Sequence, residues 1–387
     1  MRDSPRLNLS AVTLAGWLAL AAMAGRAGHA QASAGRVEAE SGLTTASFAS
    51  LVTRLSEAGG YFDTDNLISN ESSYLHAVTA LNRLGVTGGA YLGVGPDQNF
   101  SYIARIRPSI AFIIDIRRDN LLELLMFKAC FALAPSRIEY LSLLLGRPAP
   151  ADPSAWTSRP LAELTGYLDR TPATPASREA ARAAMLARAR TFGVALTPAD
   201  LATIIRFHDA FVTQGLDLRF TTFQRAPRPD YPDYRRLLLE TDREGRQASY
   251  LASEADYRFV KSLQDRNLVI PVVGDLAGDH AMAAIARTLT QRNQRVSAIY
   301  ASNVEFYLMQ NGSFDRFVRN VGRLPRAHRS AIIRSYFPYR NPHPHAVPGY
   351  NSTQVVQPIA SLIRGQHLGA YRTYFDLVTR DAVDGQP

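Results

Sequence analysis

One cysteine, Cys130, occurs in 387 residues, so the chain can form no internal disulfide and its stability must come from a packed core. Lysine is almost as scarce, standing only at positions 128 and 261. The basic side is therefore arginine, scattered among acids at 43 Lys and Arg against 34 Asp and Glu. No solvated basic stripe results, which argues against a nucleic-acid partner despite the net charge of +9. After Gly25 there is no long uncharged apolar stretch of the kind that crosses a bilayer. The G-x-S-x-G elbow and the P-loop are both missing, so serine hydrolase and nucleotide triphosphatase readings lack their motifs. His343 and His345 in "NPHPHAVPGY" have no carboxylate or cysteine at ligand spacing, and no metal is expected. No internal repeat is visible.

What is present begins with a leader. Arg2, Arg6 and Arg26 against Asp3 give it +2, leaving the rest of the chain near +7 of the total +9. Leu9 to Gly25 is free of charge, and "GHAQA" supplies the small residues that a signal peptidase needs. Residues 1–32 read as a signal peptide cut after Ala30 or Ala32, implying an exported protein, periplasmic or secreted, with no membrane association once cut. The alternative is an uncleaved anchor, since the 17 residues from Leu9 to Gly25 sit at the short end of the spanning range.

The chain as a whole, 46% apolar and 20% charged, has the composition of a globular protein. Residues 33–85 read as a small polar linker followed by two helices, the second capped by Ser69 or Asn70 and ended by Gly85. Residues 86–134 hold a strand in "GAYLGVG", a short helix in "NFSYIARIRP", a continuous apolar strand in "SIAFIIDIR", and a helix starting at Asp119 or Asn120. Strand, helix and strand within so short a span form a βαβ unit, hence a parallel sheet. Residues 135–250 are proline-rich and then helical, and read as a mostly helical insertion; Pro198 and Asp200 open one helix there and Gly215 closes it. In residues 251–387 the alternation resumes, with strands in "NLVIPVVGDLAG", "RVSAIYASNVEFYL" and "RSAIIRSYF", followed by a proline and histidine loop running from Pro338 to Ile359. Cys130 lies in an apolar helical pattern and reads as a buried structural thiol. The fold class expected is α/β, a doubly wound, mostly parallel sheet with a helical insertion.

In such sheets ligands bind outside the carboxyl ends of the strands. Gly93 and Gly95 end the first strand and allow a sharp turn; Asp97 or Asn99 can cap the next helix; Asp115 ends the second strand, twenty residues after Gly95, where an acid can accept from ribose hydroxyls. Gly274 and Asp275 end the third strand, and Asn303 and Glu305 follow the fourth. The polar group Asn66, Asn70 and Glu71, just before the first strand, can cover the same pocket, or can be no more than a loop and a helix cap. A small-molecule ligand is the partner these positions suit.

The order of these pieces resembles the Rossmann-like class I S-adenosylmethionine-dependent methyltransferases: "YLGVGPDQN" resembles their glycine-rich first motif, Asp115 their ribose-binding acid, "VVGDLAG" their third-strand Gly-Asp, and "YASNVEFYL" their fourth-strand segment. The likeness covers residues 86–130 and 266–337. It implies S-adenosylmethionine as cofactor, with Gly93 and Gly95 beside its methionine part, Asp115 on the ribose, Asp275 near the adenine amine, Asp97, Asn99 and Gly274 also among the cofactor-binding residues, and Asn303, Glu305 and Tyr307 facing the methyl acceptor. Asn303, Glu305 or Tyr307 would then orient or deprotonate that acceptor. The whole chain is also similar to an uncharacterised bacterial family sharing "GYFDTDNLISNE", "FSYIARIRP", "NLVIPVVGDLAG" and "SNVEFYL". Two functions are consistent with these residues: a small-molecule methyltransferase, or an exported non-catalytic protein that binds a ligand or partner on a methyltransferase-like scaffold.

Overall fold

The structure, a computed structural model, describes Met1 and residues 42–224, 228–338 and 341–383. The leader and its expected cleavage site lie outside the described residues. Ahead of the sheet come α1 (Thr45–Leu55), capped by the Thr44 hydroxyl, and α2 (Ala77–Leu84), which Gly85 ends in the left-handed conformation. Neither Ser69 nor Asn70 caps a helix; the chain enters α2 through a 3₁₀ turn at Tyr74–His76.

Strand β1 (Ala90–Gly93) and β2 (Ile110–Asp115) pair in parallel, Ala90 opposite Ile110 and Gly93 opposite Ile113. Both are apolar without alternation because both faces of the sheet are covered. Between them runs α3 (Gln98–Ile106), and after β2 comes α4 (Arg118–Leu133), whose N-cap is Arg117 and not Asp119 or Asn120. Helix α4 is buried nearly all round, which fits its lack of a polar face: it is held between strand β3 (Val269–Val273) and two insertion helices, α7 (Pro175–Arg190) and α8 (Pro198–Gln214). The insertion also contains α5 (Arg137–Leu144), α6 (Leu161–Arg170) and α9 (Tyr234–Leu239). Thr174 and Thr197 cap α7 and α8 immediately before a proline at the first helical position.

Helix α10 (Glu254–Asp265) leads back into β3. Then follow α11 (Ala281–Gln291), β4 (Val296–Ser302), α12 (Val304–Gln310), α13 (Phe314–Arg323), β5 (Arg326–Tyr336), β6 (Thr353–Pro358), α14 (Ile359–His367) and α15 (Tyr374–Thr379). The chain is α/β, with fifteen α-helices among the described residues and one six-stranded sheet ordered β3-β2-β1-β4-β5-β6. All pairings are parallel except β5 with β6. Helices α3, α4 and α10 contact one another, and α1, α11, α13 and α14 form a second contacting series. Among the described residues no helix is long and apolar enough to cross a membrane.

Strand β6 corrects the reading of Pro338 to Ile359 as a loop. Its Gln354 and Gln357 are buried polar residues that bond to other buried polar groups, so the segment lacks the apolar run that marks the other strands. The winding reverses between β1 and β4: strands are added outward to β3, and the chain then returns to the other side of β1. That reversal opens a crevice at the carboxyl ends of the strands.

Candidate ligand-binding site

A cavity of about 400 Å³ occupies that crevice. Its floor is the set of strand ends: Val94 and Gly95 after β1, Asp115 to Arg117 after β2, Gly274 to Leu276 after β3, and Ser302 to Val304 after β4. Segment 61–71 covers it with Tyr61, Phe62, Asn66, Asn70 and Glu71, and the insertion adds Phe220, Arg228 and Tyr231.

The first turn is built by Asn99. This side chain is fully buried and its Nδ2 donates to the carbonyls of Val94 (2.9 Å), Gly95 (3.2 Å) and Pro96 (2.8 Å), while its Oδ1 accepts from the Tyr91 hydroxyl at 2.8 Å. A Cβ on Gly93 would stand 1.9 Å from that Oδ1, so Gly93 is small for the sake of Asn99 and does not itself line the cavity. Gly95 does line it, at φ +82°, a conformation that side chains disfavour. Asp97 turns away: it accepts from the hydroxyls of Tyr234 (2.9 Å) and Tyr250 (3.2 Å), and burial pushes its carboxyl up to about 6. Thus Asp97 and Asn99 hold the turn and the insertion, and their polar atoms are already used.

Asp115 lines the cavity, but its carboxylate is gripped by Arg117, with Nε 3.0 Å from Oδ1 and Nη2 2.9 Å from Oδ2. Arg117 also donates from Nη1 to the carbonyls of Thr64 (2.8 Å) and Asp65 (2.7 Å), tying the covering segment to the end of β2. The sequence reading passed over Arg117; the signal was a basic residue two places beyond the strand-end acid, on the same side of the chain. Asp275 lines the cavity and accepts the Ala277 amide at 2.8 Å on Oδ1.

Glu71 is the least expected feature. It is 1% exposed, yet it lines the cavity; its Oε2 accepts from the Tyr300 hydroxyl at 2.7 Å and Gln354 Nε2 at 3.0 Å, and its Oε1 accepts from the Ser302 hydroxyl. No cation pairs with it among the described residues, and burial pushes its carboxyl above the ordinary range, those hydrogen bonds opposing the shift only in part. Ser302 itself sits at φ +50° at the end of β4, a strained position for a non-glycine residue.

Asn303 and Tyr307 line the cavity, and Tyr307 meets Phe62 edge-on at 5.3 Å. Glu305 does not line it. Its carboxylate is fully buried against Arg334, Nε to Oε2 2.5 Å, and Arg334 in turn donates to Gln357 at 2.8 Å. Glu305 stands two residues from both Asn303 and Tyr307, about 200° round the helix, which turns its side chain inward.

Fold and site together define an α/β protein with a ligand-sized cavity at the ends of its parallel strands. The chain belongs to the family described as a domain of unknown function (DUF7790), which matches residues 67–149 and 209–372. Those residues include β1 to β6 and most of the cavity wall; residues 150–208, with α6, α7 and the start of α8, fall between the two matched stretches. No curated protein matches the chain.

Proposed function

We propose that the cavity binds a nucleoside-bearing cofactor of the S-adenosylmethionine class and that the protein is a small-molecule methyltransferase with a Rossmann-like core. The observation that carries this reading is the coincidence of the cavity with the reversal point of the winding, where Gly95, Ile116 and Asp275 line one wall from three adjacent strands. The residues fit such a group in part. Gly95 leaves room for close backbone approach, Ile116 offers an apolar side chain that is 38% exposed for an adenine ring, and Asp275 is an acceptor for its amine. The cofactor would supply an electrophilic methyl on sulfur, and Asn303 and Tyr307 would orient the acceptor.

Asp115 favours the second reading, a non-catalytic ligand-binding protein that works after export through the leader. Ribose hydroxyls would have to share a carboxylate that already holds Arg117 through two hydrogen bonds. Isothermal titration of the purified protein with S-adenosylmethionine and S-adenosylhomocysteine separates the two. Micromolar binding that is lost in Ile116→Asp, with an unchanged melting temperature, supports the methyltransferase. Absence of heat from folded protein removes it and leaves the binding protein.

A further inference from the structure

The cavity lining has an imbalance of charge. Asp115 is neutralised by Arg117, and Arg228 is bonded through Nε (3.0 Å) and Nη2 (2.7 Å) to Asp230. Glu71 and Asp275 are left with no cation among their hydrogen-bond and ion-pair partners in the described residues. A carboxylate removed from water this far is costly unless a positive group answers it.

A second acceptor stands beside it. Tyr300 has one hydroxyl proton, and it goes to Glu71; the Gln98 amide must therefore present Nε2 to the Tyr300 oxygen, at 3.3 Å. That orientation leaves Gln98 Oε1 buried with no donor in the protein, on a residue that lines the same cavity. Two acceptors linked through one tyrosine await a group with several N–H donors. The lining is also aromatic: Phe62 with Tyr307, Phe220 with Tyr231 at 5.2 Å, and Tyr61, an exposed side chain. Ring faces attract cations and accept flat apolar bodies equally well.

We infer that the Glu71 end of the cavity is a subsite for an organic cation, the protonated amine of a small molecule whose ring-bearing body lies against the aromatic lining. The inference rests on the cavity being a ligand site, as proposed above, and not on the cofactor being S-adenosylmethionine. Glu71 and Gln98 Oε1 take the ammonium protons, and the rings take the body. Anions of the same shape are rejected, because their carboxylate would face Glu71 without a counter-ion.

Tryptamine and indole-3-propionate, which share a ring and differ in the sign of the charge, test this by calorimetry on the full chain. Tryptamine is expected to bind tighter by roughly tenfold or more. Glu71→Gln and Gln98→Met are each expected to reduce that preference; since either variant can lose stability, the wild-type comparison decides alone. Equal binding of the two compounds, preference for the anion, or no binding of either to folded protein overturns the inference. Tryptamine preference without binding of S-adenosylmethionine upholds the subsite and removes the methyltransferase; the reverse pattern does the opposite.

Discussion

At the scale of single residues, Glu305 and Asp97 show how one buried carboxyl differs from another. Glu305 faces Arg334 with both side chains fully buried, so removing its charge strands a guanidinium in the core. Glu305→Gln is expected to lower the unfolding free energy by about 3–5 kcal/mol in urea denaturation and to leave ligand affinity unchanged. Lost affinity at unchanged stability would instead assign Glu305 to the cavity. Asp97 accepts from the hydroxyls of Tyr234 and Tyr250 and has no cation among its ion-pair partners in the described residues, and burial raises its folded-state value from 3.8 to about 6. A carboxyl raised in the folded state contributes its stability in full below the unfolded value, and loses it as pH rises through the folded value. The protein should therefore weaken between about pH 4 and pH 6 by about 3 kcal/mol from this group. Asp97→Asn keeps an acceptor for both tyrosines and removes the charge, so it should raise stability at pH 7.5 and flatten the profile over that window. A profile identical to that of the natural protein would count against the assignment. Neither environment was legible in the sequence: Glu305 and Asp97 sit next to strand ends, where acids are expected to serve ligands, and their partners come from β5 and from the insertion, distant in the chain.

At the scale of elements, strands β2 to β5 were readable as apolar runs containing Val or Ile, β1 as a short apolar run between glycines, and the helix start at Thr197 follows from Pro198 and Asp200. Strand β6 and the covering segment 61–71 were not, because both are held by polar contacts to distant elements and not by a periodic apolar face. The segment hangs on Arg117, on the Thr64 hydroxyl donating to the Thr221 carbonyl, and on the pairing of Arg206 with Asp65. Arg117→Ala releases the first of these and leaves Asp115 without its cation. Hydrogen exchange is expected to speed up across residues 61–71 while β1 and β2 stay protected, with a stability loss of about 3–5 kcal/mol. Uniform exchange across all three would show that Arg117 supports the sheet as a whole. Helix α4 carries a different strain. Lys128 is buried beneath Phe48 and Phe192, 4.9 and 5.1 Å from their ring centres, with its ammonium on the Gln264 carbonyl, and burial lowers it to about 7. A base lowered in the folded state costs stability most at low pH, and that cost is relieved as pH rises from about 7 towards its unfolded value. Lys128→Met should therefore stabilise the protein at pH 6 by about 1–4 kcal/mol, read as a higher urea midpoint, and should do so less at pH 10.

At the scale of the whole molecule, the question is whether the helical insertion is a domain of its own. Residues 150–208 lie between the two stretches that match the family, as an appended unit would. The packing points the other way. Helices α7 and α8 cover α4, Tyr234 and Tyr250 meet on Asp97 beside β1, and Arg137 donates to the carbonyls of Leu251 and Ala252 at 2.9 Å each. One hydrophobic cluster runs from Phe48 through Met185 and Phe207 to Leu377, so no solvent layer separates insertion from sheet. A shared core of this kind should unfold as a unit. The two tryptophans make the test direct: Trp17 lies in the leader, and Trp156 lies in the insertion, packed against Tyr167 at 4.8 Å. In a Trp17→Phe protein, Trp156 fluorescence reports the insertion alone and far-ultraviolet circular dichroism reports all helices and strands. Coincident urea midpoints are expected, because breaking the contacts of α7 and α8 uncovers α4, and α4 in turn supports β3. A fluorescence transition at clearly lower urea would mean that the insertion lets go first, and the cavity would then owe Phe220, Arg228 and Tyr231 to a part that can open independently of the strand ends.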